Sequence, residues 1–191
     1  MKIKAAVLYE PNKPMVVETI DLNEPQEGEV LVRIVAAGVC YSDYHIMKGE
    51  WSHPLPAVLG HEGAGVVERV GSGVTRVTPG QNVILNFRAN CGICHYCIIG
   101  RPVLCNGAGG QRHTLFDGTS RLSKNGETIH HMARTSCFSE YTVVPESGAV
   151  PVRSDMPLDK ACLVGCAVMT GVGAVTNTAH IEAGSIVAVI G

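Results

Sequence analysis

Short runs of β-branched and other apolar residues, broken by glycine and proline, predict β-strands over residues 3–9, 15–21 and 29–37. Pro11, Pro14, Pro25 and Gly28 are the breaks. A second β region covers residues 63–70 and 81–87, joined through Gly71-Ser72-Gly73 and entered at the Pro79-Gly80 turn. Strands this short, bounded by glycine, predict a compact barrel. Between residues 111 and 134 the chain becomes polar and carries Asp117-Gly118 and Asn125-Gly126, pairs that favour tight turns with positive φ. That segment is predicted to be a surface excursion.

From Asp159 to about Thr178 the pattern changes to that of a helix, with Asp159 as its cap and Leu163, Val164, Val168, Val172 and Val175 as its apolar positions. Gly165, Gly171 and Gly173 oppose a helix there. Ser185-Ile186-Val187-Ala188-Val189-Ile190-Gly191 then reads as a strand of the kind buried in a parallel sheet. Such a strand needs neighbours on both edges and helices on both faces. The expectation is therefore a mainly β first domain over residues 1–165 and a second, α/β unit begun over 166–191 and left incomplete, so that the chain is a fragment.

Composition narrows the function classes. With 46% hydrophobic residues and a mean hydropathy of +0.18, the 191 residues can fill a sizeable core. A net charge of −2 from 15 basic and 17 acidic residues offers no footprint for nucleic acid. The chain has no apolar run long enough to point to a membrane, so small molecules are the expected partners. Residues 1–10 lack the apolar core of an export signal, which predicts a cytoplasmic setting and reduced cysteines.

Cys91, Cys94, Cys97 and Cys105 follow a CxxCxxCx7C spacing that can wrap four thiolates around one tetrahedral zinc, in a lobe of about residues 90–106. Four protein ligands leave no open position, so this site holds the fold and performs no chemistry. Other readings compete for the same residues. Cys91-Gly92-Ile93-Cys94-His95 spells a haem-attachment string, but haem leaves Cys97 and Cys105 unexplained. A ferredoxin-type cluster wants a shorter last gap and a following proline, where this chain has Asn106. Disulfides suit neither the spacing nor a reducing compartment.

The remaining polar candidates lie in Cys40-Tyr41-Ser42-Asp43-Tyr44-His45, Gly60-His61-Glu62-Gly63 and Gly165-Cys166. Taken singly, a buried cysteine is more often packing than ligand. Taken together, two thiolates and one imidazole make a Cys2His set, which can hold a zinc with one position open.

With Gly60-His61-Glu62-x-x-Gly65, the Cys40–His45 element, the Cys91–Cys105 lobe and Gly165-Cys166 entering a helix, the chain resembles the zinc-dependent medium-chain alcohol dehydrogenases over essentially its whole length. The resemblance implies a GroES-like β-barrel catalytic domain followed by the first helix and strand of a Rossmann domain. It implies two zinc ions, one structural and one catalytic, the latter held by Cys40, His61 and Cys166 with Glu62 as an alternative ligand. Asp43 would orient the histidine ligand. Cys137 and Cys162 match no ligand position and are expected to be free, packed thiols.

The chemistry implied is hydride transfer between an alcohol and NAD or NADP, with NAD favoured, because no side chain can accept two electrons. Ser42 would accept the substrate proton and His45 would relay it outward. Thr170, His45 and Gly191 would touch the cofactor, Gly191 being the first glycine of its phosphate loop. Tyr41 stands where some relatives carry a basic residue that contacts cofactor phosphate. Trp51 and Phe87, with Met132 and Ala133, would line an apolar pocket beside Ser42 for a primary or aromatic alcohol. Trp51 and Gly109 replace an acidic and a basic residue of the glutathione-dependent formaldehyde enzymes, which argues against that activity. The intact protein is expected to be a homodimer or homotetramer and the 191 residues alone to be inactive. The alternative is a noncatalytic, zinc-stabilised GroES-like module.

Overall fold

The computed structural model describes residues 1–190, so the expectation for Gly191 lies outside the described residues. Ten strands form two sheets. In chain order they are β1 (Lys2–Leu8), β2 (Val16–Leu22), β3 (Glu29–Gly38), β4 (Ala57–Val58), β5 (Glu62–Val70), β6 (Asn82–Leu85), β7 (Leu122–Lys124), β8 (Glu127–His131), β9 (Tyr141–Pro145) and β10 (Ala149–Pro151). The order β1-β2-β7-β8-β4 closes a barrel, and β10-β6-β5-β3-β9 make a five-stranded antiparallel sheet beside it. The early strands fall within a residue or two of their expected bounds, because their β-branched and apolar runs are closed by glycine and proline, and β1 also alternates in burial. In β1, for instance, Ile3, Ala5 and Val7 face inward.

Residues 111–134 correct the sequence reading. The stretch from β7 to β8 is barrel wall, with Asn125-Gly126 turning one strand into the other and with Leu115, Leu122 and Ile129 fully buried, while the turn at Asp117-Gly118 is exposed as expected. Their polarity misleads because part of it is internal. Arg121 is buried and grips Glu29 of β3 through Nε to Oε2 at 2.9 Å and Nη2 to Oε1 at 2.7 Å, while Nη2 also reaches Asp117 at 2.6 Å. A charge taken out of water in this way must be paired and fully hydrogen-bonded.

The expected helix over 159–178 is broken. Pro157, not Asp159, caps α3 (Leu158–Ala161), a tight turn covers Cys162–Gly165, and the chain bends by 50° before α4 (Ala167–Gly173). Cys166 sits at the break with φ −140° and ψ −69°. Gly165 just before it lets the backbone pack directly on the end of β6, since a Cβ there would lie 2.4 Å from the Leu85 carbonyl oxygen. Residues 185–190 form no strand. A strand exists through its ladder, and no described strand is hydrogen-bonded to this run, whose Ile186, Val189 and Ile190 are exposed. No single helix among the described residues is long and apolar enough to cross a membrane.

Phe138 joins the layers, packing against the barrel core of Ile3, Ile20 and Leu122 and against the sheet core of Val30, Val83 and Leu85. Two predictions follow from the buried polar groups. Arg121→Met leaves the Glu29 carboxylate buried without its partner and is expected to cost about 3–5 kcal/mol in urea unfolding. Adding Glu29→Leu should restore part of that loss. The fully buried His131 is pushed down to about 3, by burial first and then by the Arg121 charge. Unfolded, it returns to about 6.5. The unfolded chain therefore binds the proton first, so stability is complete above about 6.5 and falls towards lower pH by up to about 1.4 kcal/mol per pH unit. Urea midpoints measured from about pH 7 to about pH 4, at equal metal loading, should fall less steeply in His131→Asn than in the parent chain.

Candidate metal centres

Strand register brings the second constellation together. Gly38 at the end of β3 pairs with Glu62 at the start of β5, so Cys40, two residues beyond, stands beside His61. Cys166 arrives from the other side, carried on the Gly165 contact with β6. Helix α1 (Tyr41–Met47) begins at Cys40, where the Asp43 carboxylate folds back to accept the Cys40 N–H at 3.0 Å. One ligand atom from each of Cys40, His61, Glu62 and Cys166 lies within 4.8 Å of all the others.

Asp43 organises this cluster from beneath. Fully buried, it also accepts the Gly60 N–H at 3.0 Å and the His61 Nδ1–H at 3.2 Å. That leaves His61 Nε2 as the ligating atom. Glu62 accepts the Ala167 N–H at 3.0 Å and so ties the start of α4 to the cluster. Gly38 makes room for it, since a Cβ at that position would meet Glu62 Oε2 at 2.3 Å. Nothing in the strand pattern singles out Gly38, because the need for glycine arises from a side chain 24 residues away in sequence (62 − 38 = 24).

The electrostatics ask for a cation. Burial pushes the Cys40 thiol up, yet the Ser42 N–H and hydroxyl and the His61 charge outweigh it and hold the thiol below its ordinary value. Burial lowers His61, and the Asp43 carboxylate with the Cys40 sulfur more than offsets it. Cys166 is pushed up to about 11, by burial and then by the charge on Cys40. Two sulfurs and a carboxylate competing for negative charge in one small volume fit a divalent ion, and thiolate with imidazole fits zinc.

Around the cluster, Phe87 stands edge-on to His61, 5.5 Å between ring centroids, as a pocket wall would. Trp51 is stacked on His45 at 4.6 Å, and His45 Nδ1 is 2.5 Å from Glu50 Oε2. Ser42 and His45 share one face of α1, a turn apart. Thr170 Oγ1 lies 3.9 Å from Cys166 Sγ. Met132 is buried in the apolar cluster of Leu8, Ile46 and Leu59, with Ala133 against it. Cys137 and Cys162 are buried and free, and burial pushes both thiols up.

The lobe is local by comparison. Helix α2 (His95–Ile98) is a single turn that places Cys94 and Cys97 on one side, and all four sulfurs lie within 4.8 Å of one another. Cys94 to Cys97 is 3.5 Å, Cys94 to Cys105 3.8 Å and Cys91 to Cys105 3.6 Å. Zinc–sulfur bonds of about 2.3 Å in a tetrahedron set the sulfurs about 3.8 Å apart, so the spacing fits. The N–H groups of Cys91 and Gly107 donate to Cys105 Sγ at 3.3 and 3.4 Å, bonds suited to a thiolate. Backbone N–H groups pull Cys94 down to about 6, while burial and Cys94 push Cys97 up to about 12. A dication resolves that conflict.

Residues 26–154 match the family described as the alcohol dehydrogenase GroES-like domain. Over 192 aligned residues the chain is 47% identical to an alcohol dehydrogenase class-3 of Zea mays and 46% identical to one of Oryza sativa subsp. japonica. In each case 98% of this chain and 50% of the relative are covered, so the chain spans about half the length of these curated relatives. Among solved structures, an alcohol dehydrogenase zinc-binding domain protein from Burkholderia ambifaria superposes with TM-score 0.88 at 35% identity, over 97% of this chain and 51% of that one. The benzyl alcohol dehydrogenase of Acinetobacter calcoaceticus gives 0.84 at 32%, over 93% and 48%.

Two substitutions test the cluster. Asp43→Asn keeps the shape but weakens the hold on His61, and is expected to reduce zinc affinity there about 10–100-fold. Gly38→Ala should displace Glu62 and lower retention at the same site. Zinc content after dialysis against a chelator checks both, and the ion held by the four cysteines should stay.

Proposed function

The chain belongs to the alcohol dehydrogenase GroES-like domain family, and from that membership we propose that it supplies the metal-binding part of a zinc-dependent oxidoreductase. The reaction is interconversion of a primary or aromatic alcohol and its aldehyde by hydride transfer to NAD(P), with NAD favoured. The observation that carries this reading is the convergence of Cys40, His61, Glu62 and Cys166 within 4.8 Å from three separated segments. Cys40, His61 and Cys166 would hold the catalytic zinc, with Glu62 as alternative ligand, and the four lobe cysteines the structural one. Zinc so held would supply Lewis acidity towards an alcohol oxygen.

The chain's own groups handle the proton. Ser42 takes it from the alcohol and His45, one turn along the same helix, hands it to solvent. Glu50 occupies the Nδ1 side of His45, which leaves Nε2 as the exchanging atom. Stacking on Trp51 fixes the ring plane. Phe87 keeps water from the His61 side and gives the pocket an apolar wall suited to an aromatic or alkyl substrate, in keeping with the likeness to a benzyl alcohol dehydrogenase. Thr170, a turn beyond Cys166, would face the nicotinamide. The intact enzyme is proposed to be a cytoplasmic homodimer or homotetramer.

Metal counting separates this from a noncatalytic zinc-stabilised module. Two zinc ions per chain are expected, with Cys40→Ser or His61→Ala losing one and leaving the fold in place. Cys97→Ser should unfold the lobe, because a structural zinc contributes on the order of 10 kcal/mol to a small unit. One ion that survives both Cys40→Ser and His61→Ala would sink the catalytic reading. The 191 residues alone are proposed to be inactive, and NAD-dependent oxidation of benzyl alcohol by the purified chain would overturn that.

A further inference from the structure

Arg134 has no role in the catalytic reading, yet the fold goes to some length to bury it. It follows β8 in a turn where Ala133, Arg134 and Ser136 have φ of +53°, +62° and +50°, a left-handed conformation that side chains disfavour. The residue is 4% exposed, and none of the ion pairs among the described residues includes it. Its Nη2 donates to the Gly107 carbonyl oxygen at 3.1 Å and to that of Gln111, and its Cζ lies 4.4 Å from the Phe116 ring centroid. Its Nε is buried with no hydrogen-bond partner. A guanidinium taken out of water without an opposite charge is costly, so a compensating negative charge should lie close by.

Gly107 shows where that charge is. Its N–H donates to Cys105 Sγ at 3.4 Å, and its carbonyl is the one Arg134 holds. A Cβ on Gly107 would lie 2.9 Å from Cys91 Sγ and 3.3 Å from Phe116 Cδ1, so one glycine separates the thiolate shell from the guanidinium and its aromatic platform. Four thiolates around a dication carry a net charge of −2, the concentrated negative charge in this part of the molecule. We infer that Arg134 is the buried countercharge of the four-cysteine zinc centre, delivered through Gly107, and that it sets how tightly the lobe keeps its metal. The backbone strain at Ala133 and Arg134 is then what holds the guanidinium beneath the lobe. The inference rests on the reading that the lobe holds zinc.

Arg134→Gly removes the guanidinium while relaxing a φ of +62°, which offsets part of the packing and hydrogen bonds lost, and circular dichroism at equal metal loading checks that the variant is folded. The full 191-residue chain is loaded with cobalt, whose thiolate charge-transfer bands report the four-sulfur site, and is titrated with a chelator. Arg134→Gly should release the lobe cobalt about tenfold more readily, the scale expected when a group outside the ligand shell is lost. Arg134→Lys, which keeps the charge but loses the fork, should fall between, and the Cys40, His61 and Cys166 site should be unchanged. Equal lobe retention in Arg134→Gly and the parent would overturn the inference. So would protection of the parent by inorganic phosphate with metal retention unaltered, which would assign the unpartnered Nε to a small anion. A parent chain with no four-sulfur cobalt bands would defeat the zinc reading itself and this inference with it.

Discussion

One buried carboxylate sets the geometry on which the catalytic reading depends. Asp43 accepts hydrogen bonds from the Cys40 N–H, the Gly60 N–H and His61 Nδ1, and so fixes two ligands from different segments with a single side chain. A carboxylate is stable in so dry a place only if its lone pairs are filled, and here three donors fill them. The same bonds start α1, and α1 carries Ser42 and His45. The residues proposed to handle the proton and those proposed to hold the metal are therefore mechanically one unit.

The two candidate metal clusters are built by opposite means. The lobe is local, with four sulfurs delivered by turns within fifteen residues (105 − 91 + 1 = 15), so its closure costs little chain entropy. The other cluster spans residues 40–166 and exists only once β3, β5 and β6 are in register. Glycines make that register possible. At Gly38 and Gly165, any side chain would strike Glu62 or the Leu85 carbonyl and push Glu62 or Cys166 out of place.

Buried charge is used twice more as a joint. Arg121 binds barrel to sheet through Glu29, and Arg134 binds the turn after β8 to the lobe through Gly107. Each of these two arginines spans two structural units. Such groups specify which surfaces meet, a task that apolar contact, being non-directional, performs less well.

Much was legible in the chain itself. Runs of β-branched and apolar residues broken by glycine and proline located β1, β2, β3 and β5, and the CxxCxxCx7C spacing located the lobe, because both signals are short-range and the side-chain types are chemically distinctive. Cys40, His61 and Cys166 were found as residues, but only the tertiary structure brought them within reach of one ion, since strand register decides proximity. It also made barrel wall of β7 and β8 within an expected surface excursion, and Glu29 supplies the charge that lets the adjoining Arg121 go inside. The helix bend at Cys166, the space at Gly38 and the burial of Arg134 were likewise invisible, because each depends on an atom far away in the chain that folding alone brings near.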